Sequence, residues 1–401
     1  MKSIAVIGGG AAGFFAAIHA AYNGNDVTIF EKGSSVLNKV RISGGGRCNV
    51  THACFDVNEL VKFYPRGAKE LIGAFHRFNT NRTIDWFESR DVELKTEDDG
   101  RMFPVTDSSQ TIIDCLLKEA KRNCVEIKMQ CSVISVAKVN EQFVLKFADN
   151  TKKNFDVVIV AAGGYPSTKS YDWLRSLGLS IIEPVPSLFT FNIPNSPFKG
   201  LEGLSVEEAL VTVSDSKFNY SGPLLVTHWG VSGPAVLKTS AFAAQHIHDL
   251  GYNFKAIINF IPSLSDDELE ELLNQQKKLH PAKKVFSKLF NQLPNRLWER
   301  LCTTAGITES VQFANISKQQ MQALEKNISA HELNVQGKTT FKEEFVTCGG
   351  VDLKEIDMKT MQSKKVPGLF FAGEVLNIDG VTGGFNFQAA WTTGFIAGSN
   401  V

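Results

Sequence analysis

Apolar residues along this chain fall into short runs whose period changes from one region to the next. Residues 3–7 (SIAVI) form a β-branched apolar run ending at a glycine cluster, which predicts a buried strand. Residues 11–22 are alanine-rich and free of proline, which predicts a helix, and 26–32 (DVTIFEK) predict a second strand. Strand, glycine turn, helix and strand in that order have the dimension of a βαβ unit, about thirty residues. Further buried strands are predicted at 155–164 (FDVVIVAAGG) and 368–374 (GLFFAGE).

Between these the pattern differs. LFTFNI (188–193), ALVTVS (209–214) and FKAIINF (254–260) are strand-like and separated by turn residues. From about 263 to 330 the period becomes helical. Ser265 and Glu268 fit a capping box opening a helix with Leu269, Leu272 and Leu273 on its apolar face. Two more helical runs are predicted over Val285–Leu293 and Leu297–Cys302, with Pro281 and Pro294 as punctuation. The α/β pattern resumes after 335. The predicted fold class is α/β: a discontinuous Rossmann-like domain over 1–188 and 335–401 carries an insertion, β-rich over 189–262 and helical over 263–334.

Composition narrows the function classes. With 42 basic and 42 acidic residues the formal net charge is +0, so no bulk electrostatic pull toward nucleic acid or an anionic membrane is expected. The run 277–300 carries seven Lys or Arg; it reads as the solvated face of a small helical bundle, with a nucleic-acid patch as the other reading. The apolar N-terminus is broken by Gly8, Gly9 and Gly10, unlike a signal peptide, and no run has the length of a membrane span, so a cytoplasmic location is expected. Seven scattered cysteines with no C-x-x-C pair fit a reducing compartment. No histidine pair has helical ligand spacing, and no metal is expected. Oligomeric state leaves no signal.

Gly8-Gly9-Gly10-Ala11-Ala12-Gly13 satisfies G-x-G-x-x-G directly after a strand and at the start of a helix, with Glu31 at the end of the next strand. Gly8 permits the tight turn, Gly10 the approach of a pyrophosphate, and Gly13 close helix–strand packing. Glu31 would accept hydrogen bonds from an adenosine ribose. At the far end of the chain a strand runs into Gly373-Glu374, followed by Gly383-Gly384-Phe385-Asn386-Phe387-Gln388 at the start of a helix. A second helix N-terminus there suits a ligand longer than one mononucleotide and would stabilise an anionic reduced flavin. The third glycine-rich run is SGGGRCNVTH (43–52).

Together these motifs resemble the two-dinucleotide-binding-domain flavoproteins, the superfamily of glutathione reductase and fumarate reductase. More closely the chain resembles a bacterial family of NAD(P)/FAD-dependent oxidoreductases that includes aminoacetone-oxidase-like and bile-acid-reducing flavoproteins. The resemblance rests on IGGGAAG (7–13), ISGGGRCNVT (42–51), GRMFPV (100–105), VVIVAAGG (157–164), THWGVSGPAVL (227–237), the run 347–380 and TGGFNFQAAWTTG (382–394). Val40, Asn377 and Phe385 depart from the family pattern. The resemblance implies FAD as cofactor, with Gly8, Gly10, Ala12 and Gly13 on the diphosphate and Glu31, beside Lys32, on the adenosine ribose. Val133 would meet adenine through its backbone, and Gly163 would close over the cofactor. Gly373 and Glu374 would lie at the ribityl chain, and Asn386 and Phe387 at the pyrimidine edge of the flavin. In such a fold the segment after Glu31 returns past the phosphates. Gly44, Gly45 and Gly46 would let it do so closely, with Arg47 and Asn49 as cofactor contacts.

For chemistry beyond the cofactor, Cys48 and Cys54 lack the C-x-x-x-x-C spacing of disulfide reductases, and a packed cysteine is the simpler reading of Cys48. His228 is the candidate general base, on a loop before a helix capped by Ser232; a hinge histidine is the alternative. Arg47 and Arg101 could take an anionic group. The function read from the sequence is hydride transfer between flavin N5 and a small organic substrate seated between the flavin domain and the insertion. Two directions stay open: a reductase fed by NAD(P)H docking transiently, or an amine oxidase. The rival is a non-enzymatic FAD-binding module or an RNA-associated flavoprotein.

Overall fold

The computed structural model describes residues 1–339 and 346–401; the part of the resumed α/β segment over 340–345 lies outside the described residues. The chain divides into two compact units, Met1–Pro186 with Val346–Val401, and Ser187–Phe345.

The first unit is built on a seven-stranded sheet in the order Ile356–Asp357, Gln362–Ser363, Leu369–Phe371, Val157–Val160, Ser3–Ile7, Asp26–Phe30, Glu126–Lys128. From Leu369–Phe371 onward the neighbours run parallel. Ser3–Ile7 lies between two parallel neighbours, and Ile4 to Ile7 are buried. A strand covered on both faces needs an unbroken apolar run, which is what the sequence has there. The strand from Asp26 stops at Phe30, so Glu31 and Lys32 stand just beyond its carboxyl end. The helix Ala11–Tyr22 packs backbone to backbone against the C-terminal helix Phe385–Ser399. A Cβ on Gly394 would stand 2.7 Å from the Ala12 carbonyl oxygen, and one on Gly398 would stand 2.3 Å from that of Ala16. Both helices are apolar nearly all round, as a helix buried on every side must be.

The second unit has a seven-stranded sheet in the order His331–Gln336, Asn253–Asn259, Ser205–Val213, Asn219–Thr227, Gly230–Ser232, Thr190–Asn192, Lys338–Thr339. Its neighbouring strands pair antiparallel, and His331–Gln336 alternates buried and exposed, the pattern of a sheet with one covered face. That strand follows the helices Asp266–Leu279, Asn295–Thr304 and Lys318–Ser329. The capping box at Ser265 and Glu268 is present in full, and a second one joins Ser317 and Gln320. The helix expected over Val285–Leu293 does not form. The Val285 N–H donates to the Val311 carbonyl and its own carbonyl takes the Trp298 indole N–H, both at 3.0 Å. Val285 and Leu293 are buried all the same, so the apolar spacing reflects tertiary packing of an irregular segment.

Candidate functional site

Each glycine of the first turn has a different reason to be there. Gly8 has φ +112°, and a Cβ on it would lie 2.4 Å from the Ala161 carbonyl oxygen; one on Gly13 would lie 1.9 Å from the Gly8 carbonyl oxygen. Gly10, the N-cap of the first helix, has nothing within 4 Å of such an atom. Two glycines therefore close the turn on itself while the third leaves its front open. No side chain caps this helix, so its first N–H groups face that opening, the arrangement that receives a phosphate. Ala12 is buried behind the turn against Gly373, whose own N–H donates to Thr393 Oγ1 at 2.9 Å.

Glu31 is held at the rim of the opening. Its Oε2 accepts from the Gly9 N–H at 2.8 Å and its Oε1 from the Gly33 N–H at 2.7 Å, which fixes the carboxylate in place. Lys32 is exposed, with its ammonium 5.8 Å from the centre of the Tyr165 ring. Tyr165 follows the open, left-handed Gly163 and packs edge-on against Tyr171, whose hydroxyl accepts the Tyr165 N–H at 3.1 Å. Burial pushes both phenols up, Tyr171 to about 12, so both stay neutral donors. Glu374 is ion-paired with Lys39. Val133 begins the strand Val133–Val139, in a small antiparallel sheet where it pairs with Phe147.

The run 43–52 behaves differently at its two ends. Gly44, Gly45 and Gly46 are all left-handed, and Gly45 and Gly46 are exposed with open space beside them. Arg47 lies 4.0 Å over the Phe103 ring and pairs with Glu97; Arg101 pairs with Asp99 at 2.7 Å and Glu97 at 3.0 Å. Both guanidiniums are thus met by the protein's own carboxylates. Cys48 is fully buried and its thiol is pushed up to about 12, while Cys54 is a separate free thiol, so neither the dithiol nor a reactive Cys48 thiolate is on offer.

After Cys48 the chain grips the C-terminal helix. With its amide oxygen facing the helix, Asn49 accepts the Gly384 N–H at 3.0 Å and its NH2 donates to the Thr51 carbonyl at 2.9 Å. The Val50 carbonyl accepts the Trp391 indole N–H at 2.9 Å, and Thr51 Oγ1 donates to Gln388 Oε1 at 2.6 Å. Gly384, Gln388 and Trp391 follow one another at helical spacing, so three consecutive residues fasten one stripe of that helix. Thr83 Oγ1 also reaches Gln388 Oε1, at 2.9 Å, and Gln388, Thr51 and Thr83 are wholly buried. The sequence does not reveal Gln388 and Thr51 as a pair, although they lie within ISGGGRCNVT and TGGFNFQAAWTTG. Asn386 turns both ends of its amide to Gly380, at 2.8 Å each, and so closes the loop before the helix. Phe387 stacks on Trp391, and Phe385 lies face to face with Phe63 at 4.3 Å and with His52 at 4.6 Å. The partly buried pair of Arg66 with Asp379, also unforeseen, ties down the same loop.

His228 lies in the second unit, exposed on the two-residue turn between Asn219–Thr227 and Gly230–Ser232. The helix after it is capped by Gly233 and not by Ser232. Ser232 is still paired in the sheet with Leu225, and the chain turns only at Gly233, with φ +93°. Pro234 then opens the helix as expected.

The open front at Gly10, the fixed Glu31 carboxylate and the second helix N-terminus at Gly384 suit a ligand longer than one mononucleotide. Among the described residues no group of His, Cys, Asp and Glu is placed to hold a metal ion, and no helix is long and apolar enough to cross a membrane.

The family described as HI0933-like protein Rossmann domain matches residues 2–400. The chain is 30% identical over 397 residues to the ribosomal RNA dihydrouridine synthase of Escherichia coli K12, covering 97% of this chain and 95% of that one. It is 26% identical over 408 residues to the 3-dehydro-bile acid delta(4,6)-reductase of Clostridium scindens, covering 99% and 98%. Among solved structures, the 3-ketosteroid-delta4-(5alpha)-dehydrogenase of Rhodococcus jostii RHA1 shares the fold, with a TM-score of 0.51 at 14% identity over 99% of this chain and 96% of that one. The protein is a member of the HI0933-like family, an FAD-dependent oxidoreductase.

Proposed function

We propose that the protein reduces a carbon–carbon double bond conjugated to a carbonyl, with uracil in RNA as its first-choice substrate and NAD(P)H as transient electron donor. Both relatives named above span almost the whole chain, and both names denote saturation of such a bond. Dihydrouridine is uridine with C5–C6 saturated, a bond conjugated to the C4 carbonyl. The double bonds of a 3-dehydro delta(4,6) bile acid are conjugated to its 3-oxo group. The observation that carries the choice of RNA is the 30% identity over 97% of the chain to the Escherichia coli enzyme. A small conjugated ketone is the second reading, on the 26% identity to the bile-acid reductase. An amine donor with oxygen as acceptor has neither name behind it.

When bound, FAD supplies the hydride at its reduced N5. The chain's part is to hold and orient. Gly8, Gly10, Ala12 and Gly13 take the diphosphate, Glu31 with Lys32 the adenosine ribose, and the Val133 backbone the adenine. Gly163 closes over the cofactor, and Gly373 and Glu374 border the ribityl chain. Asn386 and Phe387 shape the loop and helix start at the pyrimidine edge, and Gly44 to Gly46 pass the phosphates. Arg47 and Asn49 act through the elements they fasten. The candidate donor of the proton that completes the reduction at the α-carbon is His228.

The test starts from purified protein with bound FAD confirmed by absorbance. NADH or NADPH is added without oxygen, and then either ribosomal RNA or a steroid 4-en-3-one. Bleaching by one nucleotide, followed by reoxidation by RNA and dihydrouridine in its digest, is expected; His228→Ala should lower that second rate by about 10²-fold or more. Reoxidation by neither acceptor, with oxygen uptake on adding an amine, would overturn the reading.

A further inference from the structure

The charge of the second unit is segregated in a way that its flavin chemistry leaves unexplained. Residues 265–276 hold five acidic and no basic residues, whereas 277–318 hold eight Lys or Arg against two acidic residues, Glu299 and Glu309. The fold then gathers part of that basic run around one loop. Lys277 Nζ donates to the Ile316 carbonyl at 3.0 Å, the Phe313 N–H to the Lys283 carbonyl at 3.0 Å, and Lys284 bridges to Gln312. These contacts bring the segment 277–284 against 312–318, so Lys277, Lys278, Lys283, Lys284 and Lys318 share one neighbourhood. Lys278, Lys284 and Lys318 are exposed and Lys283 half-exposed. None of these four is ion-paired among the described residues, unlike Lys255 and Lys326, which both meet Glu332 in the same unit. At the tip stands Leu279, 69% exposed, next to the exposed His280.

Arg296 and Arg300, the other end of the run, donate to the carbonyls of Pro197, Lys199 and Gly200 and serve the fold. Among the described residues no hydrogen bond or ion pair engages the ammonium groups of the four lysines. Unpaired cations gathered on one rim lower the stability of the fold slightly by mutual repulsion, and a polyanion repays this by releasing its condensed counterions.

We propose that Lys278, Lys283, Lys284 and Lys318 form a docking surface for the phosphate backbone of RNA, with Leu279 and His280 at its edge. This inference rests on the reading that RNA carries the substrate. It assigns sequence-independent binding to the second unit, since contacts from lysine to phosphate are the same whatever the base.

The experiment measures binding of the full-length FAD-loaded protein to a fluorescein-labelled RNA hairpin by anisotropy over a salt series. Four phosphate contacts predict a slope of log affinity against log salt steeper than about −3. The variant Lys278→Ala/Lys283→Ala/Lys284→Ala/Lys318→Ala is expected to bind at least about tenfold more weakly at low salt and to lose about 3 from that slope. The matching Lys→Arg variant should restore both, which separates charge from folding. Reduction of a steroid 4-en-3-one, or bleaching by NAD(P)H alone, should be equal in all three. An Ala variant with unchanged affinity and slope overturns the docking surface even when the enzyme reduces uracil in RNA. Binding of the wild type to phosphatidylglycerol vesicles but not to the hairpin overturns it in favour of a membrane surface. Failure to form dihydrouridine with hairpin binding intact overturns the substrate reading and leaves the surface standing.

Discussion

Gly10 and Gly13 stand a helical turn apart and differ in what a methyl group would meet there. At Gly13 it would run into the Gly8 carbonyl oxygen at 1.9 Å, and backbone cannot yield as a side-chain tip can. At Gly10 it would meet only the opening, and the backbone there, at φ −90° and ψ −173°, suits alanine. Gly13→Ala is therefore expected to destabilise the apoprotein by about 1–3 kcal/mol or more, read from urea unfolding. Gly10→Ala should leave that curve nearly unchanged and weaken FAD at least about tenfold, read by fluorescence titration. An equal stability loss in both variants would mean that Gly10 faces protein and not ligand. Glu31 invites a related test. Its two oxygens each take one N–H, so Glu31→Gln presents an NH2 to one of those donors and removes the charge. A loss of about 1–2 kcal/mol in FAD affinity is expected. Unchanged affinity would count against Glu31 as the ribose residue.

At the level of elements, the run 49–51 fastens the C-terminal helix. Its central bond ends on Gln388, whose amide oxygen serves two buried hydroxyls, those of Thr51 and Thr83. Thr51→Val removes one donor and leaves the other, which costs about 1 kcal/mol. Gln388→Leu strands the Thr51 hydroxyl away from water, leaves Thr83 only its longer bond to the Asn79 carbonyl at 3.3 Å and removes the amide's bond to Thr392, so it should cost clearly more, about 2–4 kcal/mol. Urea unfolding of the two single variants checks that order; a larger loss from Thr51→Val would overturn the shared-acceptor arrangement. The sequence showed these elements without showing this role. SIAVI and the alanine-rich helix announce themselves because one period governs each. A hydrogen bond from Thr51 to Gln388 spans 337 positions, and no local period records it. For the same reason Val285–Leu293 read as helix: buried residues at helical intervals look alike whether the backbone coils or is held by Val311 and Trp298. Arg47 illustrates the other limit. Its place beside a glycine triplet is local and legible, whereas its pairing with Glu97 and its seat over Phe103, both distant in sequence, are not.

Charge and stability belong to the whole molecule, where totals conceal placement. A net charge of +0 argued against a polyanionic partner, but the total does not register the segregation between 265–276 and 277–318. Each unit also buries one histidine that the chemistry does not use. His19 lies in the first helix, with Nδ1 donating to the Phe15 carbonyl at 2.7 Å, and burial lowers it to about 4. His331 begins a strand of the second unit between Phe198 and Phe260, and burial lowers it to about 4 as well. In the unfolded chain both take up protons near pH 6.5. Between pH 6.5 and about 4 the unfolded state thus binds more protons than the folded one, so stability is complete above pH 6.5 and declines as pH falls toward 4. The slope is at most about 1.4 kcal/mol per pH unit for each histidine. Calorimetry from pH 7.5 down to 4.5 should show both units losing stability over that window. His19→Gln and His331→Gln, which cannot take up the proton, should each flatten the decline in its own unit while lowering the plateau above pH 7. A decline equally steep in the double variant would assign the acid sensitivity to the paired carboxylates instead, and the neutral buried imidazoles would lose their place in the account.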